Sequence, residues 1–507
     1  MTHVGPHKEE VRRLNSETLS EAPPQTLVAR FAELAQAAPD RPAITCGADT
    51  ITRIELDRRT NRLARAYQEL GVTKDSFVTI GLPNSIEFLA AAIAAWKCGA
   101  TPQPISSRLP GRETAAIIAL AEPTLVVGIS EQDAPGFTVV PPGFEPSADL
   151  SDSAFDMGAA ASLKAPTSGG STGRPKLIVA GDRAEADNLT PFARVQGMQD
   201  DDTILITGPL YHNAPFTLSF CGLSLGGHIV LMPRFDAAES LRLIETYDVT
   251  WMYAVPTMMN RIWRLPESER TSYDVSSLRN VMHMAAPCPA WLKHAWIDWL
   301  GAEAVLELYA GTEVQSVTVV NGVEWLAHPG TVGRPVVGEM IVLGPDGSPL
   351  PAGEVGEIWM RRGEGQAAPY RYIGAEAQTI GDGWETVGDM GSMDAEGYLY
   401  LADRKSDMIV VGGANVYPAE VEAALLEHPQ VSSAVVIGLE HEDLGHVPHA
   451  LVQLETPLTD DDLRDHLAEH LARYKIPRSF ERVTEPLRDD AGKVRRAALV
   501  AARKKPT

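Results

Sequence analysis

The densest run of chemically capable residues is Thr167-Ser168-Gly169-Gly170-Ser171-Thr172-Gly173-Arg174-Pro175-Lys176. Small residues let backbone N–H groups converge on a phosphate, and the closing ammonium neutralises charge there. It is not a Walker A loop. That motif needs Lys directly after the last Gly with a helix opening there, whereas Arg174-Pro175 intervenes and Leu177-Ile178-Val179 reads as a strand. A Gly/Ser hairpin tip is the plain alternative.

The wider composition narrows the ligand. Lys plus Arg number 44 against 67 Asp plus Glu, a formal charge of −23. Such a charge repels a nucleic-acid backbone over any long contact but leaves room for a small phosphorylated molecule. The four cysteines, Cys46, Cys98, Cys221 and Cys288, are too dispersed for a zinc knuckle or disulfide framework. The N-terminus lacks the apolar core of a signal peptide, and the longest apolar run, Leu89 to Trp96, is far short of a membrane span. A soluble, cytoplasmic protein is expected, with no nucleic-acid or membrane partner. Oligomeric state is not readable.

The elements that must position the loop alternate. Leu56, Leu63, Tyr67 and Leu70 recur at helical spacing before Gly71, residues 77–81 read as a strand, and residues 87–98 as an Ala-rich helix ended by Gly99. Further strands are expected at residues 203–207, 229–232, 251–255 and 281–284. This implies α/β layers with parallel pairs. Between Gly330 and Leu401 short strand candidates punctuated by Gly and Pro suggest an antiparallel sheet or small β-barrel-like subdomain. After Asp403 the texture becomes α+β: Pro418 opens a helix, residues 431–439 read as a strand, and Thr459 with Asp462 caps a helix. At about 150 residues per domain, 507 residues suggest two to four domains. The expected organisation is a flexible terminus over 1–25, a large domain over 26–402 and a small mobile domain over 403–507.

The Gly-rich loop resembles the phosphate-binding signature of the adenylate-forming superfamily, which includes acyl-CoA synthetases, luciferases and peptide-synthetase adenylation domains. Four further motifs follow in that family's order: Leu308-Tyr-Ala-Gly-Thr-Glu313, Gly383-Trp-Glu-Thr-Val-Gly-Asp389, Asp403-Arg-Lys-Ser-Asp-Met-Ile409 with Gly412-Gly-Ala-Asn-Val-Tyr-Pro418, and Gly492-Lys493. The resemblance runs from Leu27 onward. It implies activation of a carboxylic acid by ATP with Mg²⁺, through an acyl-adenylate, with release of pyrophosphate.

The same resemblance assigns roles. Thr167 to Gly173 and Lys176 would cradle phosphates, Tyr309 would stack on adenine, and Ala285 and Ala286 would approach its edge. Thr312 would hydrogen-bond the α-phosphate and Glu313 would hold Mg²⁺. Asp389 would accept from the ribose hydroxyls, with Arg404 adding a charge-assisted contact. His212, in Pro209-Leu-Tyr-His212, would stand at the acyl site. Lys493, 317 residues beyond Lys176, would swing into the same site. Asp403 would be the hinge of a rotating C-terminal domain whose Gly412-Gly413 turn would line a tunnel for an incoming thiol. Outside the family context each residue has a structural reading: Tyr309 as core, Glu313 and Lys493 as solvated charges, Asp389 as a turn residue.

Runs such as Ala286-Pro-Cys-Pro-Ala-Trp and Trp325-Leu-Ala-His-Pro-Gly look most like the bile-acid or bulky-acid CoA ligase branch and neighbouring stand-alone amide ligases. The leading acceptor is therefore the CoA thiol, and the alternative is an amine. Multidomain peptide-synthetase membership, with a carrier domain after Lys493, is not expected. A nucleotide-sensing binding protein is the non-enzymatic alternative, opposed by the presence of Glu313 and Lys493. Tyr211, Phe216, Trp251 and Tyr253 could line an apolar acid pocket or fill a core.

Overall fold

Parallel strands and the helices that cross between them organise most of the chain. The computed structural model describes residues 24–169, 175–489 and 492–503. The largest sheet has nine strands, six of them in parallel contact: Asn280–His283 lies between Val305–Ala310 and Trp251–Ala254, followed by Thr203–Ile206, His228–Leu231 and Pro42–Cys46. A second, four-stranded sheet is parallel throughout, with Phe77–Ile80 between Thr101–Pro104 and Leu125–Val127.

Local chemistry sets the elements that the sequence announces. The Thr52 hydroxyl and the Glu55 carboxylate form a reciprocal capping box that opens the helix Arg53–Glu69. Ser85 caps Ile86–Lys97, whose run of Ala, Ile, Leu and Phe is buried on every side and can only be a core helix. Gly99 follows at φ 67°, the left-handed geometry that glycine adopts without penalty. Buried charge within this layer is paired: Lys97 lies 2.7 Å from Asp57, and Lys293 lies 2.5 Å from Glu307.

The region of changed texture is a six-stranded antiparallel sheet that includes Glu339–Leu343, Gly356–Arg361, Asp389–Met393 and Leu399–Arg404. Beyond it, Val431–His441 and Gly445–Leu454 form a long antiparallel pair backed by the helices Pro418–Glu427 and Asp460–His470. These elements enclose a core of their own, built on Val421, Leu425, Val436, Leu463 and Leu467. No described helix is long and apolar enough to cross a membrane.

Candidate active site

The carboxyl ends of the parallel strands deliver the site, the place where open α/β sheets bind ligands. Asn280–His283 runs out into Met284, Ala285 and Ala286, and Val305–Ala310 into Gly311, Thr312 and Glu313; all of these line one cavity of about 3720 Å³. Ala285 adopts φ 74°, a strained conformation for a residue with a Cβ, held where the chain turns beside the cavity.

Thr167–Gly169 and Pro175–Ala180 form an antiparallel hairpin in which Ser168 faces Lys176. The tip between them, with Gly170, Ser171, Thr172 and Gly173, lies outside the described residues. The hairpin's outer edge pairs with Tyr370–Ile373, which brings Tyr372 opposite Ile178. Tyr372 donates to Glu313 Oε1 at 2.5 Å, Lys176 Nζ lies 3.4 Å from the same oxygen, and that ammonium sits 3.8 Å from the centre of the Tyr372 ring. Sequence reasoning missed Tyr372.

A second group in the cavity wall is equally close-knit. Tyr309 donates to Asp389 Oδ2 at 2.8 Å, and Arg404 Nε lies 3.2 Å from Asp389 Oδ1, the two residues being register partners on adjacent strands. Burial raises the Asp389 pKa, while Arg404 and the Tyr309 hydroxyl work against that rise. Burial and the neighbouring Asp389 carboxylate together push the Tyr309 phenol well above its usual value.

His212 begins the helix Asn213–Ser224, and Asn84 holds the segment before it: the Asn84 amide donates to Gly208 and Met232 carbonyls and accepts from Leu210 N–H at 2.8 Å. His212 Nε2 is buried without a hydrogen-bond partner among the described residues. Burial, reinforced by the Lys493 charge, lowers its pKa to about 3, so its ring is neutral at any ordinary pH.

Lys493 enters this cavity from the far end of the chain. The N–H groups of Gly492 and Lys493 both bond Asp489 at 2.9 Å. Gly492 has φ 75°, and a Cβ there would stand 3.3 Å from Thr257 Oγ1. The Lys493 side chain is open to the cavity yet walled by protein, so desolvation lowers its pKa against the opposing pull of Asp489 and Glu313. The C-terminal unit is fastened in this orientation by Arg264, whose guanidinium donates to the Val431 and Pro429 carbonyls at 2.6 and 3.1 Å.

Two expectations do not meet at the cavity. Gly412 and Gly413, at φ 55° and 89°, form the two-residue tip between Ile409–Val411 and Ala414–Val416 and are not among its lining residues. Phe216 and Trp251 belong to the core, Phe216 packing edge-on to Trp96 and Phe88, whereas Tyr211 and Tyr253 do line the cavity. Cys288 packs against the second core cluster.

The AMP-binding enzyme model matches residues 31–370, and the AMP-binding enzyme C-terminal domain model matches residues 420–493. The chain belongs to the AMP-binding enzyme family. It is thus an adenylate-forming ligase. Among its relatives, 2-succinylbenzoate–CoA ligase of Bacillus licheniformis is 29% identical over 483 residues, covering 92% of this chain and 98% of the relative. Among solved structures, o-succinylbenzoate CoA synthetase from Bacillus subtilis in complex with its acyl-adenylate intermediate superposes with a TM-score of 0.80 at 27% identity, covering 96% of this chain and all (100%) of that one. The amide bond synthetase McbA from Marinactinospora thermotolerans superposes with a TM-score of 0.78 at 25% identity, covering 94% and 100%.

Proposed function

We propose that the protein joins a bulky, cyclic or aromatic carboxylic acid to ATP, forming an acyl-adenylate and pyrophosphate, and then passes the acyl group to the CoA thiol. The observation that carries this reading is the meeting of Lys493, His212, Glu313, Asp389 and Arg404 at one cavity from four distant parts of the chain.

In the first step a carboxylate oxygen of the acid attacks the α-phosphorus, the bond to the bridging oxygen breaks, and pyrophosphate leaves with that electron pair. Lys493 supplies positive charge beside the α-phosphate and the acid carboxylate, and Thr312 donates to the same phosphate. Asp389 accepts from the ribose, Arg404 adds its charge, Tyr309 stacks on the base, and Ala285 and Ala286 give the base room at its edge. Neutral His212 shapes the acyl side without adding a second cation there.

Glu313 fits a Mg²⁺ site. It is buried and presents a carboxylate, the hard oxygen donor that such an ion takes alongside phosphates and water. Mg²⁺, when bound, offsets phosphate charge.

In the second step the nucleophile attacks the acyl carbon and AMP departs. The domain division at 402/403 serves this exchange: rotation about Asp403 withdraws Lys493 and brings Gly412 and Gly413 toward the acceptor path. Likeness to an amide bond synthetase favours an amine as the second acceptor reading.

The deciding experiment combines purified protein, Mg-ATP and a panel of carboxylic acids, follows pyrophosphate alone, with CoA and with simple amines, and identifies products by mass. Acyl-CoA is expected. Amide without acyl-CoA moves the protein to the amine reading. No pyrophosphate with any acid, or undiminished release by Lys493→Ala, overturns adenylation as proposed.

A further inference from the structure

Lys164 is a buried cation that the reaction leaves unused. It precedes the strand Thr167–Gly169, its side chain is 6% exposed, and its ammonium donates to the Thr217 hydroxyl on the helix Asn213–Ser224. That hydroxyl passes its own proton to the Asn213 carbonyl at 2.8 Å, so it can serve Lys164 only as an acceptor. An ammonium has three donors, and among the described residues Thr217 is the one acceptor bonded to it. Asp182 and the Cys221 thiol act on it only through space.

The contrast with the other two deeply buried lysines is informative. Lys97 and Lys293 are each paired with a carboxylate, Asp57 at 2.7 Å and Glu307 at 2.5 Å, and neither lines the cavity. Lys164 has no carboxylate partner among the described residues and does line it. An unpaired buried charge is costly, and a site that keeps one gains most from a ligand that supplies the missing anion. Burial lowers the Lys164 pKa to about 8, which leaves the group mostly protonated at neutral pH.

Its place relative to the reaction fits a distal contact. Asn213 adjoins His212, and Thr217 lies one helical turn, about 6 Å, farther along. Asn213 also lines the cavity. We infer that Lys164 is a specificity residue that binds a second carboxylate at the far end of the acid, making dicarboxylic acids the preferred substrates. This rests on the adenylation reading above; Thr217 is the positioning residue for the ammonium.

The test uses matched pairs of acids, benzoate with terephthalate, cinnamate with 4-carboxycinnamate and octanoate with octanedioate, in the pyrophosphate assay and in thermal melts without ATP. The wild type is expected to favour the diacid of at least one pair tenfold or more in kcat/KM, and Lys164→Met to cut that ratio at least tenfold. Thr217→Val should move it in the same direction. Met nearly matches Lys in volume and removes an unpaired charge, so acid-free Lys164→Met should melt no lower than wild type. The diacid should then raise the melting temperature of the wild type and not of the variant. Preference for the monoacid in every pair, or a ratio unchanged in both variants, overturns the inference. Diacid-specific stabilisation lost in Lys164→Met, without pyrophosphate from any acid, would keep the Lys164 site and reject adenylation instead.

Discussion

Tyr372, on the strand Tyr370–Ile373, donates a 2.5 Å hydrogen bond to Glu313 in the turn that follows Val305–Ala310, with Lys176 held against both. The phenol fixes which way the Glu313 carboxylate faces. Hydrogen bonds to a charged group contribute about 1.5–3 kcal/mol. Tyr372→Phe should therefore lower kcat for pyrophosphate release about tenfold and raise the Mg²⁺ concentration needed for half-maximal rate, with little change in KM for the acid. A Mg²⁺ titration of the variant at saturating ATP checks this, and an unchanged Mg²⁺ dependence would remove Tyr372 from the site.

How much of this could be read from sequence depends on whether a residue's partners are local. Tyr309, Thr312 and Glu313 sit within five positions at a strand end, and the capping residues Thr52 and Thr459 act within one helical turn; such patterns are written along the chain. Tyr372 reaches Glu313 only because its strand pairs with Pro175–Ala180, nearly two hundred residues earlier, and Asn84 holds Gly208, Leu210 and Met232 across gaps of 124 to 148 residues. Neither carries a local signal. Phe216 and Tyr253 illustrate the opposite difficulty. Both are apolar, both are buried, and only the three-dimensional neighbours separate core from cavity wall.

His283 stands fully buried with neither ring nitrogen hydrogen-bonded among the described residues, Nε2 lying 3.9 Å from Glu307, and burial lowers its pKa to about 4 against the opposing pull of that carboxylate. An unfolded histidine takes a proton near pH 6.5. Between pH 6.5 and 4 the unfolded chain therefore binds more protons at this position than the native one, and stability falls as pH falls through that window. The loss is roughly 2–3 kcal/mol by pH 4.5 for this one group. His228, also lowered to about 4, adds in the same direction. Urea unfolding at pH 7 and pH 4.5 should show a smaller acid loss for His283→Leu than for wild type; equal losses would mean that His283 is protonated in the native state.

Arg264 ties the large domain to backbone carbonyls of the C-terminal unit through contacts that exist only while Lys493 is in the cavity under the rotation proposed here. Removing them should disfavour that orientation. Arg264→Ala is expected to slow pyrophosphate release about tenfold, while transfer from chemically supplied acyl-adenylate to the acceptor stays at wild-type rate. Measuring the two half-reactions separately distinguishes this from general damage, which would slow both.

Asp403 is already committed by its hydrogen bonds. One carboxylate oxygen accepts from Arg404 N–H at 2.7 Å, and the other accepts from Ala419 N–H at 2.8 Å at the start of the helix Pro418–Glu427. The side chain thus caps the first helix of the C-terminal unit while the backbone pairs with Met390 in the antiparallel sheet. If rotation occurs at this residue, the change must fall on its backbone angles, because the cap travels with the helix. Asp403→Ala should then cost about 1 kcal/mol of C-terminal stability and keep both half-reactions. Asp403→Pro locks φ near −65° and should retain pyrophosphate release within a few-fold while lowering transfer to the acceptor by a hundredfold or more. Equal loss in both half-reactions of the Pro variant would place the pivot elsewhere along the strand Leu399–Arg404.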